Sequence, residues 1–144
     1  MSMPPLPTTT VGSFPKPPYL LEARRKHLRK QISPEELQGL EKQATREWIE
    51  RQEQLDIDIL VDGEQYRGDM VAFFADEMEG FSIAGLVRSY GNRYYPKPAV
   101  VGPVGRRRPI TVDWWKYAQS LSRRPVKGML TGPYTIAEWS FNEY

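Results

Sequence analysis

Short β-branched or apolar runs alternate with longer stretches of helical period along this chain. Thr8-Thr9-Thr10-Val11 predicts a strand that ends at Gly12. Pro15, Pro17 and Pro18 then block regular structure, and Tyr19 to Lys30 predicts a basic helix. A clear helix start follows: Ser33 as N-cap, Pro34 at the first helical position and Glu36 three residues after the cap. Leu37, Leu40, Ala44, Trp48 and Leu55 recur at helical spacing and predict one apolar face on a helix from Pro34 to about Gln54.

Ile57-Asp58-Ile59-Leu60-Val61 predicts the second strand, closed by Asp62-Gly63. Asp69 is placed to cap a helix from Met70 to about Met78. The stretch from Gly80 to Val101 breaks the rhythm. Gly91-Asn92, between Val87-Arg88-Ser89-Tyr90 and Arg93-Tyr94-Tyr95, predicts a β-hairpin or long excursion. Thr111 predicts a cap for a helix from Val112 to Leu121. Val126 to Leu130 predicts a third strand, and Pro133 opens a helix expected to run to the end. The order is thus β, α, β, α, insertion, α, β, α, which predicts a parallel sheet with helical cover. Residues 1–18 are a Pro-rich extended entry, and 80–110 hold the hairpin insertion of a single partial domain.

Three parallel strands leave two open sheet edges. A closed barrel of eight such units takes about 250 residues. The expectation is therefore a partial barrel whose other units lie in the same gene product or in a second chain.

Composition narrows the function. With 40% apolar and 26% charged residues the 144-residue chain is globular. A net charge of +2 gives no argument for nucleic acid. No run approaches the ~20 apolar residues of a membrane span, and the N-terminus lacks the pattern of a signal peptide; a cytoplasmic protein is the default expectation. Basic residues cluster at Arg24 to Lys30, read as a solvated helix face, and at Arg106-Arg107-Arg108, read as an exposed loop or an anion site. There is no cysteine and a single histidine, His27, in the basic helix, where a surface role is expected.

Three turns follow the three strands: Val11-Gly12-Ser13-Phe14, Val61-Asp62-Gly63-Glu64 and Leu130-Thr131-Gly132-Pro133. Strand ends that face one way build the active site of parallel α/β proteins. The wording is similar to one family across nearly the whole chain. The segments are Leu6 to Pro15, Gly63-Glu64 with Asp69-Met70-Val71, and Ser89-Tyr90-Gly91-Asn92-Arg93. The longest runs from Trp115 to Leu121, through Pro125 to Pro133, to Glu138-Trp139-Ser140-Phe141. Together they resemble the C-terminal catalytic barrel of the cobalamin-independent methionine synthases, in its short, archaeal-type or core form, N-terminal part only.

The resemblance implies an α/β fold, a partial TIM (β/α)8 barrel of the methionine synthase and uroporphyrinogen decarboxylase type. It implies a 5-methyltetrahydropteroyltriglutamate–homocysteine S-methyltransferase that moves methyl from a methylated folate to homocysteine and gives methionine. The matching glutamate, Glu64, binds the homocysteine ammonium, and Val11, Gly12 and Ser13 hold its carboxylate. Arg93 contacts the folate, and Trp139 carries the pteridine. Tyr94 stands where the long bacterial enzymes carry Cys, which leaves room for a methylated corrinoid as donor. Family members use zinc, held by His, Cys and Glu, to keep the thiol as thiolate; the matching ligands fall beyond this chain, so no metal ligand and no catalytic residue is expected within it. The isolated chain is expected to be inactive without the C-terminal half. Arg106, Arg107 and Arg108 would attract the folate's polyglutamate tail. Two other readings stay open: a non-catalytic half-barrel that binds or assembles, and an alkyltransferase for another thiol such as coenzyme M.

Overall fold

The computed structural model describes residues 4–88 and 91–144. In chain order the elements are α1 (Pro18–Leu28), α2 (Pro34–Gln54), β1 (Leu60–Val61), α3 (Ala72–Glu77) and β2 (Met78–Arg88). They continue with β3 (Tyr94–Arg106), α4 (Val112–Ser120), β4 (Val126–Lys127), α5 (Pro133–Trp139) and β5 (Phe141–Asn142). The chain forms two compact units: the part up to Tyr66 with Thr111–Met129, and Arg67–Ile110 with Leu130–Tyr144.

In the first unit β1 and β4 pair in parallel, Leu60 with Val126 and Val61 with Lys127. The first expected strand is reduced to one parallel bridge, Thr9 with Ile59. Prolines crowd both of its sides, and Val11 is exposed. Thr8 is nevertheless anchored: its N–H and hydroxyl both donate to Asp58 Oδ2 at 2.8 Å, bonds that hold the Asp58 carboxyl below its ordinary range. The second strand is also shorter than expected. The Ile57 N–H still closes the end of α2 on the Gln52 carbonyl, so only Ile59 onward is free to pair. The third stops at Lys127, short of the expected Leu130. Side by side in chain order, the three segments still form the expected parallel start.

Ile49 of α2, Leu60, Ala118 of α4 and Val126 form the core of this unit, with Ile57 and Leu121 packed against it. α2 has the expected bounds and the expected cap: Glu36 N–H donates to Ser33 Oγ, and Ser33 N–H to the Glu36 carboxylate. Its buried stripe differs from the expected one. Glu41, Ala44, Thr45, Ile49 and Gln52 are buried, while Leu55 is 65% exposed.

The second unit is built on the hairpin. β2 and β3 pair antiparallel from Met78–Arg106 to Arg88–Tyr94, with irregularities at Glu79/Phe81 and Ile83/Gly85. It starts two residues before Gly80 and is longer than the sequence suggested. Of the Ser89–Arg93 motif, Ser89 and Tyr90 lie outside the described residues. Asp69 Oδ1 accepts from the N–H groups of Val71 and Ala72, so it caps the α3 turn as expected, though the helix proper begins at Ala72. Thr111 makes no side-chain cap to α4. The last helix ends at Trp139 rather than running on. Phe141 and Asn142 leave it and pair in parallel with Ala99 and Val100, because β3 offers an edge there. Among the described residues no helix is long and apolar enough to cross a membrane.

Candidate functional site

Two of the three turns meet in the first unit. The Phe14 N–H donates to the Gly63 carbonyl at 3.1 Å. The Gln65 side chain straps them further, its Nε2 donating to Gly63 O at 2.8 Å and to Phe14 O at 3.2 Å. Val11, Gly12, Ser13 and Glu64 are therefore carried on adjoining loops at neighbouring strand ends. Val11 and Ser13 are exposed, Gly12 and Glu64 half-buried.

The backbone at Glu64 is unusual. Gly63 has φ +69° and Glu64 φ +58°, two consecutive left-handed residues. Only glycine takes this region freely, and a non-glycine holds it when its surroundings impose it. A Cβ at position 63 would also stand 2.8 Å from the Phe14 ring. The imposing contacts are visible. Asp62 Oδ1 accepts from the Glu64 N–H at 2.9 Å, and Asp62 Oδ2 from the Tyr66 hydroxyl at 3.1 Å. The Tyr66 ring lies stacked on Trp114, centroids 4.4 Å apart. Lys16 Nζ donates to the Glu64 carbonyl at 3.4 Å, and Arg24 Nη2 to the Gln65 carbonyl at 2.8 Å. On the other side Phe14 packs on Trp48, whose indole N–H donates to the Pro15 carbonyl.

The polar stripe of α2 explains itself here. The Gln52 amide bonds the Val61 backbone in both directions, at 3.0 Å to N–H and 2.9 Å to C=O, and so fixes where β1 ends and the turn begins. Glu41 Oε1 pairs with Arg24 Nη2 at 3.0 Å. Burial pushes the Glu41 carboxyl up to about 7, against the opposing pull of Arg24 and Lys16. Arg24 thus turns inward, unlike the rest of its basic cluster, which the sequence had placed wholly on a solvated face. The signal that sequence reasoning passed over was the set of polar residues at 41, 45 and 52 on the buried side of α2, beside Ala44 and Ile49.

The other site residues lie in the second unit. Arg93 and Tyr94 stand exposed at the hairpin tip, which Arg88 steadies through the Gly91 carbonyl and Asn92 Oδ1. Trp139 is half-buried at the end of α5, and Lys97 Nζ sits 5.0 Å from its ring centroid and 4.9 Å from that of Phe141. Lys97 was not singled out from the sequence. Tyr94 begins β3 three residues before Lys97, a rise of about 10 Å. Two members of the arginine triplet are already paired, Arg107 with Glu79 and Arg108 with Glu77, which weakens the triplet as an anion site. His27 is half-buried, with Nδ1 3.4 Å from the Ile32 carbonyl.

A family model described as the catalytic domain of cobalamin-independent synthase matches residues 6–144. The chain belongs to the cobalamin-independent methionine synthase family. It is 47% identical over 143 residues to a 5-methyltetrahydropteroyltriglutamate–homocysteine methyltransferase of Caulobacter vibrioides, covering 98% of this chain and 18% of that protein. It is 48% identical to a rice protein of the same name, over 98% of this chain and 19% of the relative. The chain thus spans less than a fifth of the curated relatives it matches. Among solved structures, a B12-independent methionine synthase from Shewanella in complex with selenomethionine superposes with a TM-score of 0.77 at 28% identity, over 96% of this chain and 41% of that one. A Listeria monocytogenes structure at 18% identity and TM-score 0.78 shows the shared fold. The α/β partial barrel expected from the sequence is the fold of this chain.

The zinc that the resemblance implies would need a set of ligands held together. Among the described residues no three of His, Cys, Asp or Glu come together to hold a metal ion, and the sequence has no cysteine. The chain's own described residues do not fit the metal.

Proposed function

We propose that this chain supplies the amino-acid site of a methyltransferase that moves a methyl group from a methylated folate, or a methylated corrinoid, to the sulfur of homocysteine. In this reading Glu64 receives the substrate ammonium through a charge-assisted hydrogen bond. The N–H groups of the Val11-Gly12-Ser13 turn and the Ser13 hydroxyl receive its carboxylate. Arg93, Tyr94 and Trp139 meet the methyl donor, and Trp139 offers the flat face on which conjugated rings stack. Transfer forms a carbon–sulfur bond as the bond from the methyl carbon to the donor breaks, with the electron pair leaving on the donor. The zinc that would hold the homocysteine sulfur as thiolate, and the remaining barrel units, belong to parts of the enzyme outside these 144 residues.

The observation that carries the reading is Glu64 itself: a carboxylate at a strand end, in a left-handed conformation with its N–H held by Asp62 and its carbonyl by Lys16. Strain of this kind collects at binding sites. The Shewanella relative was solved with selenomethionine, which carries the same ammonium and carboxylate. The test is calorimetric titration of the chain with L-homocysteine, wild type against Glu64→Gln. A loss of about tenfold or more in affinity is expected from removing a hydrogen bond to a charged group. Equal affinity in both proteins would sink the assignment of Glu64.

A further inference from the structure

We propose that Arg24 and Glu41 are positioning residues for Glu64, acting through the backbone carbonyls of the turn that carries it. The functional arm of this inference rests on the homocysteine reading above; the structural arm does not.

The geometry is a hub with two arms. Glu41 on α2 is buried, and its carboxylate holds Arg24 of α1 at 3.0 Å. The same Arg24 nitrogen donates to the Gln65 carbonyl at 2.8 Å. Lys16, in the segment before α1, lies near enough to Glu41 to act on its charge and donates to the Glu64 carbonyl at 3.4 Å. Two cations gathered around one buried carboxylate thereby grip the carbonyls of two successive residues. Those residues begin with the strained one, whose N–H is held locally by Asp62 and whose carbonyl side is held by Lys16 and Arg24.

The arrangement also accounts for the direction Arg24 takes. Its neighbours Arg25 and Lys26 on α1, and Arg29 and Lys30 just past its end, are exposed. Guanidinium groups prefer water unless a buried hydrogen-bond acceptor draws them in, and the Glu41 carboxyl oxygen is that acceptor. Without it Arg24 would join the solvated cluster and release the Gln65 carbonyl. Without Arg24, Glu41 would be a buried carboxyl lacking its main partner.

The experiment follows amide hydrogen exchange by NMR on the full chain, together with homocysteine titration. The reporter is the Glu64 N–H, which bonds Asp62; the control is the Leu60 N–H, which bonds the Pro125 carbonyl. Arg24→Met is expected to speed Glu64 exchange about tenfold or more, the loss of one charge-assisted bond, and to leave Leu60 unchanged. Homocysteine affinity should fall with it, and Arg24→Lys should restore much of both. If Arg24→Met fails to fold because Glu41 is left buried and unpaired, the double variant Arg24→Met/Glu41→Leu removes both charges and carries the same expectation. Unchanged Glu64 exchange in the folded variants overturns the inference. Faster exchange, with no homocysteine binding even by the wild type, supports the positioning and refutes the binding reading instead.

Discussion

Gln52 and Val61 are joined by a reciprocal pair of hydrogen bonds, side-chain amide to backbone, at 3.0 and 2.9 Å. The amide acts as one rung of sheet supplied by a helix. It ends β1 at a fixed point and so aims Asp62-Gly63-Glu64. Replacing Gln52 by Leu keeps the volume but leaves a buried N–H and C=O each short of a partner. A loss of about 2–3 kcal/mol in urea unfolding is expected; a loss under 0.5 kcal/mol would mean that other groups or water replace the rung.

Gly63 is required twice, by its left-handed φ and by the Phe14 ring against its Cα. Gly63→Ala should destabilise the chain by about 1–3 kcal/mol, the cost of a left-handed alanine plus displacement of Phe14. Phe14→Ala in the same background should recover part of the steric share. Additive losses in a double-mutant cycle would show that the two residues do not press on one another.

Glu41 gives the first unit a pH dependence of definite sign. Its carboxyl is raised from an ordinary 4.5 to about 7, chiefly by burial. The neutral form is favoured in the fold, so its contribution is complete below about pH 4.5 and is lost as pH rises through about 7. Arg24 and Lys16 are the cations that oppose the shift. Denaturant midpoints measured from pH 4.5 to 8 should fall with rising pH for this group, and Glu41→Gln should flatten that slope. An unchanged slope in the variant would place the titration elsewhere.

Lys97 covers the ring proposed to carry the methyl donor. Lys97→Met should change little in stability, under about 1 kcal/mol, because a partly exposed cation–π contact is weak. It should also change the quenching of Trp139 by added acrylamide, read in a chain whose other tryptophans are replaced by Phe. Identical quenching would mean that the ammonium does not shield the ring.

Much of the fold was legible in the sequence because its signals are local. Ser33, Pro34 and Glu36 marked the start of α2, and Gly91-Asn92 marked the hairpin. Strand lengths were not legible. A strand extends only as far as a neighbour offers bonds, so Val11 and Leu130 look β-prone yet stay exposed and unpaired in regular strand. The end of α5 failed for the converse reason: the edge of β3, some forty residues earlier in sequence, captures Phe141 and Asn142. For the site, Gly12 and Glu64 were legible as strand-end residues. Their support was not, because Glu41, Gln52 and Arg24 look like ordinary helix-surface residues until the partner each one finds is known.

The account turns on whether Glu64 reads an amino group. The decisive measurement compares the affinity of the chain for L-homocysteine with that for 4-mercaptobutanoate, the same thiol acid without the ammonium, in wild type and in Glu64→Gln. The wild type should prefer homocysteine by about tenfold or more, and the variant should lose most of that preference. A wild type that binds both thiols equally, or a variant that keeps the full preference, would contradict the central claim.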